Sequence, residues 1–331
     1  MVRIQIIFLF SLSLSCFGQT YEVNKLKSDL KGSIYSPAYY KGDLVVCGDK
    51  KDRIGKTILD SDGHELIDLY SISPHDSVIH SSRFEESFRT DYSDGPISFN
   101  QTSSFCVFSR NLTIDQDPRT FEKSINHLGL FYKKFENGSW GETRAFQHNN
   151  KAYNVTHPTL SDDGHHLVFS SNMPGGFGGY DLWESYYKNG SWSEPENLGE
   201  LINTKGNELF PALDHKNIYF AADRGIFGGL DIYHYTIGSA DTAFPLAAPI
   251  NSEYDDFGLI SKNSLGHGYF TSNREKDRDQ IWEFEFIYPD FPECDTLVND
   301  VFCYTLVEEN AQELGSVPSL KYIWTINEDK R

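Results

Sequence analysis

One motif, repeated at the distance of a single supersecondary unit, constrains this chain more than anything else in it. Gly175-Gly-Phe-Gly-Gly-Tyr-Asp-Leu-Trp183 and Gly225-Ile-Phe-Gly-Gly-Leu-Asp-Ile-Tyr233 stand 50 residues apart. Each follows a short apolar run that ends in a polar turn, Leu167-Val-Phe-Ser-Ser-Asn172 or Ile218-Tyr-Phe-Ala-Ala-Asp223. Each opens onto a second run rich in aromatic residues. A period of that size marks stacked or circular repeats.

From residue 33 the unit can be read five times. A first strand carries a Pro or Gly anchor: Ser36-Pro37, Gly95-Pro96, His157-Pro158, Phe210-Pro211 and Phe257-Gly258. A tight turn follows, clearest at Ser161-Asp-Asp-Gly164 and Asp214-His-Lys-Asn217. Second strands come next, such as Phe105-Cys-Val-Phe108 and Tyr269-Phe270. After a variable loop, third strands begin at Asp68, Gly129, Asp181, Asp231 and Gln280. Asn137-Gly138 and Asn189-Gly190 then predict type I′ hairpins, because both central residues of that turn need positive φ. Anchors recur every 47 to 62 residues, room for four short antiparallel strands. A lone four-stranded unit leaves its faces bare, and packing the units around an axis covers them. The expected fold is therefore all-β, a β-propeller over 33–288. Five blades are legible, and the fading of the motifs toward the N-terminus leaves room for six.

Composition agrees with many short strands: aromatics are 15%, there are 26 glycines, and only two methionines. A net charge of −19 argues against nucleic acid or an anionic membrane surface as partner, since phosphates would be repelled. Residues 1–19 read as a signal peptide, with a basic start, an apolar stretch too short to span a bilayer, and Cys16-Phe-Gly18 before a cleavage point at Gln19. Leu14-Ser-Cys16 faintly matches a lipoprotein box, and simple cleavage is preferred. Residues 20–32 are a polar lead-in. Cys47 and Cys106 fall at different registers of two repeats and are expected as buried free thiols. Cys294 and Cys303 lie close enough for a local bridge and do not have zinc-site spacing.

The units resemble the propeller repeats of the TolB-like, WD-type class, most closely those of exported Bacteroidetes proteins. The matching residues are Pro158-Thr-Leu-Ser-Asp-Asp-Gly164, Phe169-Ser-Ser-Asn172, Gly178-Gly-Tyr-Asp181, Trp192-Ser-Glu-Pro195, Asn197-Leu-Gly199, Ile202-Asn-Thr204 and Glu208-Leu-Phe-Pro211. The match is strong over 150–285 and fades over 33–149. It departs at Gly129 and Gln280, where the third-strand Asp is missing. By the same resemblance, residues 289–331 are a short, incomplete Ig-like (PKD-like) β segment. The OmpA-like peptidoglycan-binding domain of such relatives is absent, so peptidoglycan binding is not expected.

Chain order alone separates the two ends of the wheel. Tight turns leave from one end, while the long loops 109–127, 172–180, 202–208, 223–230, 251–256 and 273–279 leave from the other. Function usually sits on long loops held by a rigid scaffold. On that face Asp49, Asn111, Asn172, Asp223 and Asn273 recur at the exits of the second strands. A cation ring is one reading; Asx-turns are preferred, since second strands lie off the axis and the oxygens would not converge. Met173, Phe177, Arg224, Phe227 and Arg274 form a mixed basic and aromatic rim of the residue types that anchor interfaces, with ordinary loop packing as the plain alternative. Gly178, Gly179, Asp181, Gly228, Gly229, Asp231 and Asp68 are read as structural, because an active site needs one set of groups and not a copy per blade. No metal-ligand spacing and no nucleophile elbow occurs, and no cofactor or metal is expected.

The expected function is a non-enzymatic interaction scaffold for other envelope proteins, in the periplasm or at the outer membrane. The resemblance adds type IX secretion or gliding assemblies as a setting. The alternative is a propeller enzyme, a lyase or glycosidase acting on glycans with carboxylates or histidines gathered at the axial channel. A sugar-binding lectin would need an aromatic pocket in every blade, and Phe177 and Phe227 supply two.

Overall fold

The computed structural model describes residues 20–60, 63–74, 81–112, 127–262, 265–275 and 278–287. The signal-peptide and Ig-like expectations lie outside these residues. Strand β1 (Thr20–Lys25) opens the described chain. Blade 1 follows as β2 (Ile34–Tyr40), β3 (Asp43–Asp49), β4 (Ile67–Ile72) and β5 (Ser81–Arg83). Blade 2 is β6 (Asp94–Phe99), β7 (Phe105–Asn111) and β8 (Leu128–Glu136), with β9 (Ser139–Trp140) and β10 (Arg144–Ala145) outside. Blade 3 is β11 (Val155–Leu160), β12 (His166–Ser171) and β13 (Asp181–Lys188), edged by β14 (Ser191–Trp192) and β15 (Glu196–Asn197). Blade 4 is β16 (Glu208–Asp214), β17 (Asn217–Ala222), β18 (Asp231–Thr236) and β19 (Phe244–Pro245). Blade 5 contains β20 (Asp256–Lys262), β21 (His267–Ser272) and β22 (Gln280–Ile287), and its fourth strand is β1.

This is an all-β propeller of five blades, with no sixth among the described residues. Ring closure is made by the chain start: β1 pairs antiparallel with β22 from Thr20↔Ile287 to Lys25↔Trp282. Five apolar clusters, one in each gap between blades, hold the wheel together. The cluster between blades 5 and 1 joins Tyr269 and Ile281 to Ile34, Val46 and Leu26. That between blades 1 and 2 buries both Cys47 and Cys106 as free thiols. Burial in that apolar gap pushes both thiols well above their ordinary range.

The Pro and Gly anchors have a definite structural meaning. Ser36, His157 and Phe210 take positive φ of 51°, 49° and 50°, and Gly95 and Gly258 take 110° and 59°. At each one the pairing between first and second strands slips by a residue, as between Thr156 and Thr159 or Leu209 and Ala212. Every innermost strand is therefore bulged where it borders the axis. Proline is tolerated there because an edge strand needs no donor on its open side. The remaining open donors are met from neighbouring strands. Ser98 Oγ accepts from the Leu160 amide at 3.0 Å, and Thr159 Oγ1 accepts from the Leu213 amide at 3.1 Å.

Outer edges are kept short, mostly two or three residues, which limits edge-to-edge pairing with other chains. The hairpins at Asn137-Gly138 and Asn189-Gly190 have positive φ at both residues, as type I′ turns require. Their purpose is packing: they return Trp140 and Trp192 into the gaps between blades 1 and 2 and between blades 2 and 3.

Candidate functional site

On the long-loop face the structure separates clamps from exposed groups. Arg274 is 15% exposed and holds Asp256, the first residue of β20, at 2.6 Å. Its guanidinium also donates to the carbonyls of Pro249 (2.9 Å) and Ile250 (2.7 Å) and lies 5.0 Å from the Phe270 ring centroid. Arg224 does the same one blade earlier. It pairs with the fully buried Glu208 at 3.1 Å, donates to the Ile202 carbonyl, and covers Tyr233 at 4.4 Å. In blade 2 Asp94 takes Arg110 at 2.7 Å and Lys50 at 3.0 Å, all three side chains being at least 95% buried. A hydroxyl four residues upstream completes each acid: Thr90, Thr204 and Ser252. Arg224 and Arg274 therefore lock the entering connection to its own blade and are not open rim groups. Met173 is half-buried against the blade 2–3 cluster. Phe177 and Phe227 remain 49% and 43% exposed, joined by Ile226 at 55%.

The strand-exit Asx residues do not gather around an ion. Asn172 accepts from the Asn154 amide at 2.7 Å, Asp223 from Asn207 at 2.7 Å, and Asn273 from Asp255 at 3.0 Å. Each bonds the residue just before its blade's innermost strand, where an Asx-turn would have bonded its own strand exit. The next link reaches the previous blade: Asn207 Oδ1 accepts from Tyr180, and Asp255 Oδ1 from Leu230. The result is an inter-blade latch. Among the described residues no group of three or more His, Cys, Asp or Glu is placed to hold a metal ion.

The double glycines sit where the chain passes another segment closely. A Cβ on Gly178 would fall inside contact distance of the Thr204 and Gly206 carbonyl oxygens, and one on Gly228 would meet the Glu253 backbone. Gly179 and Gly229 face the latch residues Asn207 and Asp255. Asp181 accepts from Gly178 N at 3.1 Å and Phe177 N at 2.6 Å, and Asp231 accepts from Phe227 N at 3.1 Å. Burial pushes the carboxyls of Asp231 and Asp68 above their ordinary range, with Lys50 and Arg89 pulling Asp68 back. Gly228→Ala is expected to lower stability by about 1–3 kcal/mol, because backbone atoms and not a flexible side chain stand in the way. Gly141→Ala, at ordinary φ and with only the Lys134 carbonyl oxygen near its Cβ at 3.3 Å, is the comparison in a thermal melt; equal losses would remove the close-approach account.

The axis holds a feature that residue spacing did not reveal. A cavity of about 540 Å³ opens at the tight-turn face and is bounded by all five innermost strands. Its floor lies at the bulges. The His157 and Phe210 rings stack there at 3.7 Å and 19°, and Phe257 follows Phe210 at 4.7 Å. Above the floor run Pro37, Pro96, Pro158 and Pro211, and the mouth carries Gln101, Asp162, Asp214 and His215. His215 Nδ1 lies 2.7 Å from Asp214 Oδ1, which raises the imidazole above its ordinary value. His157 is the reverse case. Burial pulls it down to about 3, so its ring stays neutral, and Nδ1 has no hydrogen-bond partner. The repeated anchors were the available signal, since a bulge on each innermost strand sets the floor of any space on the axis.

With this geometry the molecule is defined as a five-bladed propeller with a long-loop face and an axial cavity at the opposite end. Solved structures with related folds are distant in sequence. TolB from Acinetobacter baumannii is 11% identical, with a TM-score of 0.41 over 76% of this chain and 54% of that one. The chain thus spans about half of that protein's length. A TolB homologue from Agrobacterium tumefaciens is 12% identical, with a TM-score of 0.44 over 73% and 70% of the two chains. A family 117 glycoside hydrolase from Zobellia galactanivorans is 11% identical, with a TM-score of 0.49 over 81% and 90%. No family model and no curated protein matches the chain. A glycoside hydrolase stands among these neighbours, and the expectation of a non-enzyme is withdrawn. No helix among the described residues is long and apolar enough to cross a membrane.

Proposed function

We infer that the chain is a TolB-like binding propeller of the exported Bacteroidetes type, which receives another envelope protein on its long-loop face. The observation that carries this reading is the distribution of exposed apolar side chains. Of the nine exposed large apolar side chains among the described residues, Ile54, Leu59, Phe177, Ile226 and Phe227 lie on loops between second and third strands, hence on one face. Tyr186, Ile237, Phe244 and Ile287 are spread singly over outer strands and the turn after β18. Exposed apolar groups gathered on one face mark interaction sites more often than scattered ones do. An outer-membrane or type IX secretion and gliding assembly is the setting suggested by the repeat motifs. Export rests on the charged and apolar start of the sequence.

The test is capture from native envelope membranes by the chain from Thr20 onward, with mass spectrometry of what is retained. Phe177→Ala with Phe227→Ala is expected to weaken capture about a hundredfold or more, as for two interface anchors. The midpoint of thermal unfolding should stay nearly unchanged. Arg224 is left intact because replacing it would strip Glu208 of its partner. Undiminished capture by the double variant would remove the long-loop face from consideration.

A second reading places a glycan-acting enzyme at the axis. It is supported by the cavity and by Asp162, Asp214 and His215 at its mouth. Release of reducing ends from neutral polysaccharides by the purified chain is its measurement.

A further inference from the structure

We propose that the axial cavity at the tight-turn face is a binding site for a neutral polyhydroxylated ligand, a saccharide unit one or two rings long. The proposal rests on the second reading for its location and adds the entrance, the contacting residues and the ligand class. Catalysis is a separate question.

Size comes first. About 540 Å³ lies within the usual range of small-molecule sites, and this one is preformed by five rigid strands. The floor offers the flat Phe210–His157 stack, and the proline rings above it give an apolar wall. C–H faces of a pyranose ring suit such surfaces, with the hydroxyls directed to the polar mouth. Two buried polar groups on the lining have no partner, His157 Nδ1 and the hydroxyl of Tyr219, which is 1% exposed. No protein group pairs with either atom, and a ligand hydroxyl at hydrogen-bond distance from them would add to affinity.

Charge excludes the competitors. An anion would approach Asp162 and Asp214 on a protein of net charge −19. A cation finds Asp214 already engaged by His215 and meets the Lys41 side chain at the mouth. A purely apolar ligand would bury Gln101 and Asp162 without partners. A neutral polyol fits all three conditions, since its hydroxyls donate to carboxylates and accept from amides and imidazole.

The location also differs from the long-loop face. The cavity is entered through the turns between first and second strands, at Lys41-Gly42, Gln101, Asp162 and His215. A protein docked on the opposite face would leave it open.

Calorimetric titration of the chain from Thr20 onward tests the proposal. The probes are D-glucose, D-galactose, D-mannose, N-acetyl-D-glucosamine, cellobiose and chitobiose, with inorganic phosphate and spermidine as charged controls. The expected result is one-to-one binding of at least one neutral probe and none of either control. Asp162→Asn with Gln101→Ala should weaken it about tenfold or more. Both positions are exposed turn residues, so the melting midpoint should hold. Tyr219→Phe provides a second variant, acting from the wall instead of the mouth. Absence of binding by every neutral probe at millimolar concentration would overturn the proposal. So would unchanged affinity in both variants, or preferential binding of phosphate or spermidine. Binding without turnover of the disaccharides keeps the site and removes the enzyme reading. Turnover unaffected by the variants keeps the enzyme reading and removes the site.

Discussion

A chain lacking Thr20–Lys25 is expected to lose its cooperative fold, with a stability loss on the order of 5 kcal/mol or more. Six residue pairs join β1 to β22. Tyr21 packs edge-on against Phe284 and Phe286 at centroid distances of 5.9 and 5.5 Å, and Val23 joins the same cluster. Without β1, blade 5 keeps three strands, and the buried Phe284 loses its cover. A circular array has no terminal cap, so a defect at the seam opens both neighbouring gaps between blades. Urea unfolding followed by circular dichroism measures the effect, with Val23→Asp as a milder version on the same strand. A truncated chain unfolding at the parental midpoint with the parental slope would show that closure lies elsewhere.

The second large effect belongs to the clamps. Arg274→Met should cost about 3–5 kcal/mol, because it leaves the Asp256 carboxylate, 0% exposed, without its cation. The guanidinium also satisfies the Pro249 and Ile250 carbonyls, which no methionine can do. Asp256→Leu in the same chain should recover much of the loss, since two apolar groups of similar shape need no pairing. This recovery separates an uncompensated charge from simple loss of packing. If the single variant were within 1 kcal/mol of the parent by denaturant unfolding, the clamp would have no energetic role.

These two cases also show what can be read from residues alone. The Xaa-Pro and Phe257-Gly258 anchors are legible because proline and glycine restrict the backbone locally, wherever the strand ends up. The Asn-Gly hairpins are legible for the same reason. β1 is not: its partner lies more than 250 residues away along the chain, and six residues of mixed polarity carry no local sign of pairing. Arg224 and Arg274 stand beside recurring Asp223 and Asn273, which suggested an open rim. Their acids, Glu208 and Asp256, are reached only after the first and second strands are laid in register. The cavity was hidden because each strand contributes an ordinary bulge and turn, and the space exists only once five are arranged around an axis. Phe177 and Phe227 are the reverse: Phe177 lies between Gly176 and Gly178, and Phe227 runs into Gly228-Gly229, so the local sequence supplies little to cover either ring.

The pairing of Thr20 with Ile287 places the two ends of the wheel within about 5.5 Å of each other, the spacing of directly opposed residues in antiparallel strands. A short glycine linker could therefore join them into a seamless ring. New termini could then be cut at an outer hairpin such as Asn189-Gly190. The order of the blades along the gene would change while their order around the axis stayed the same.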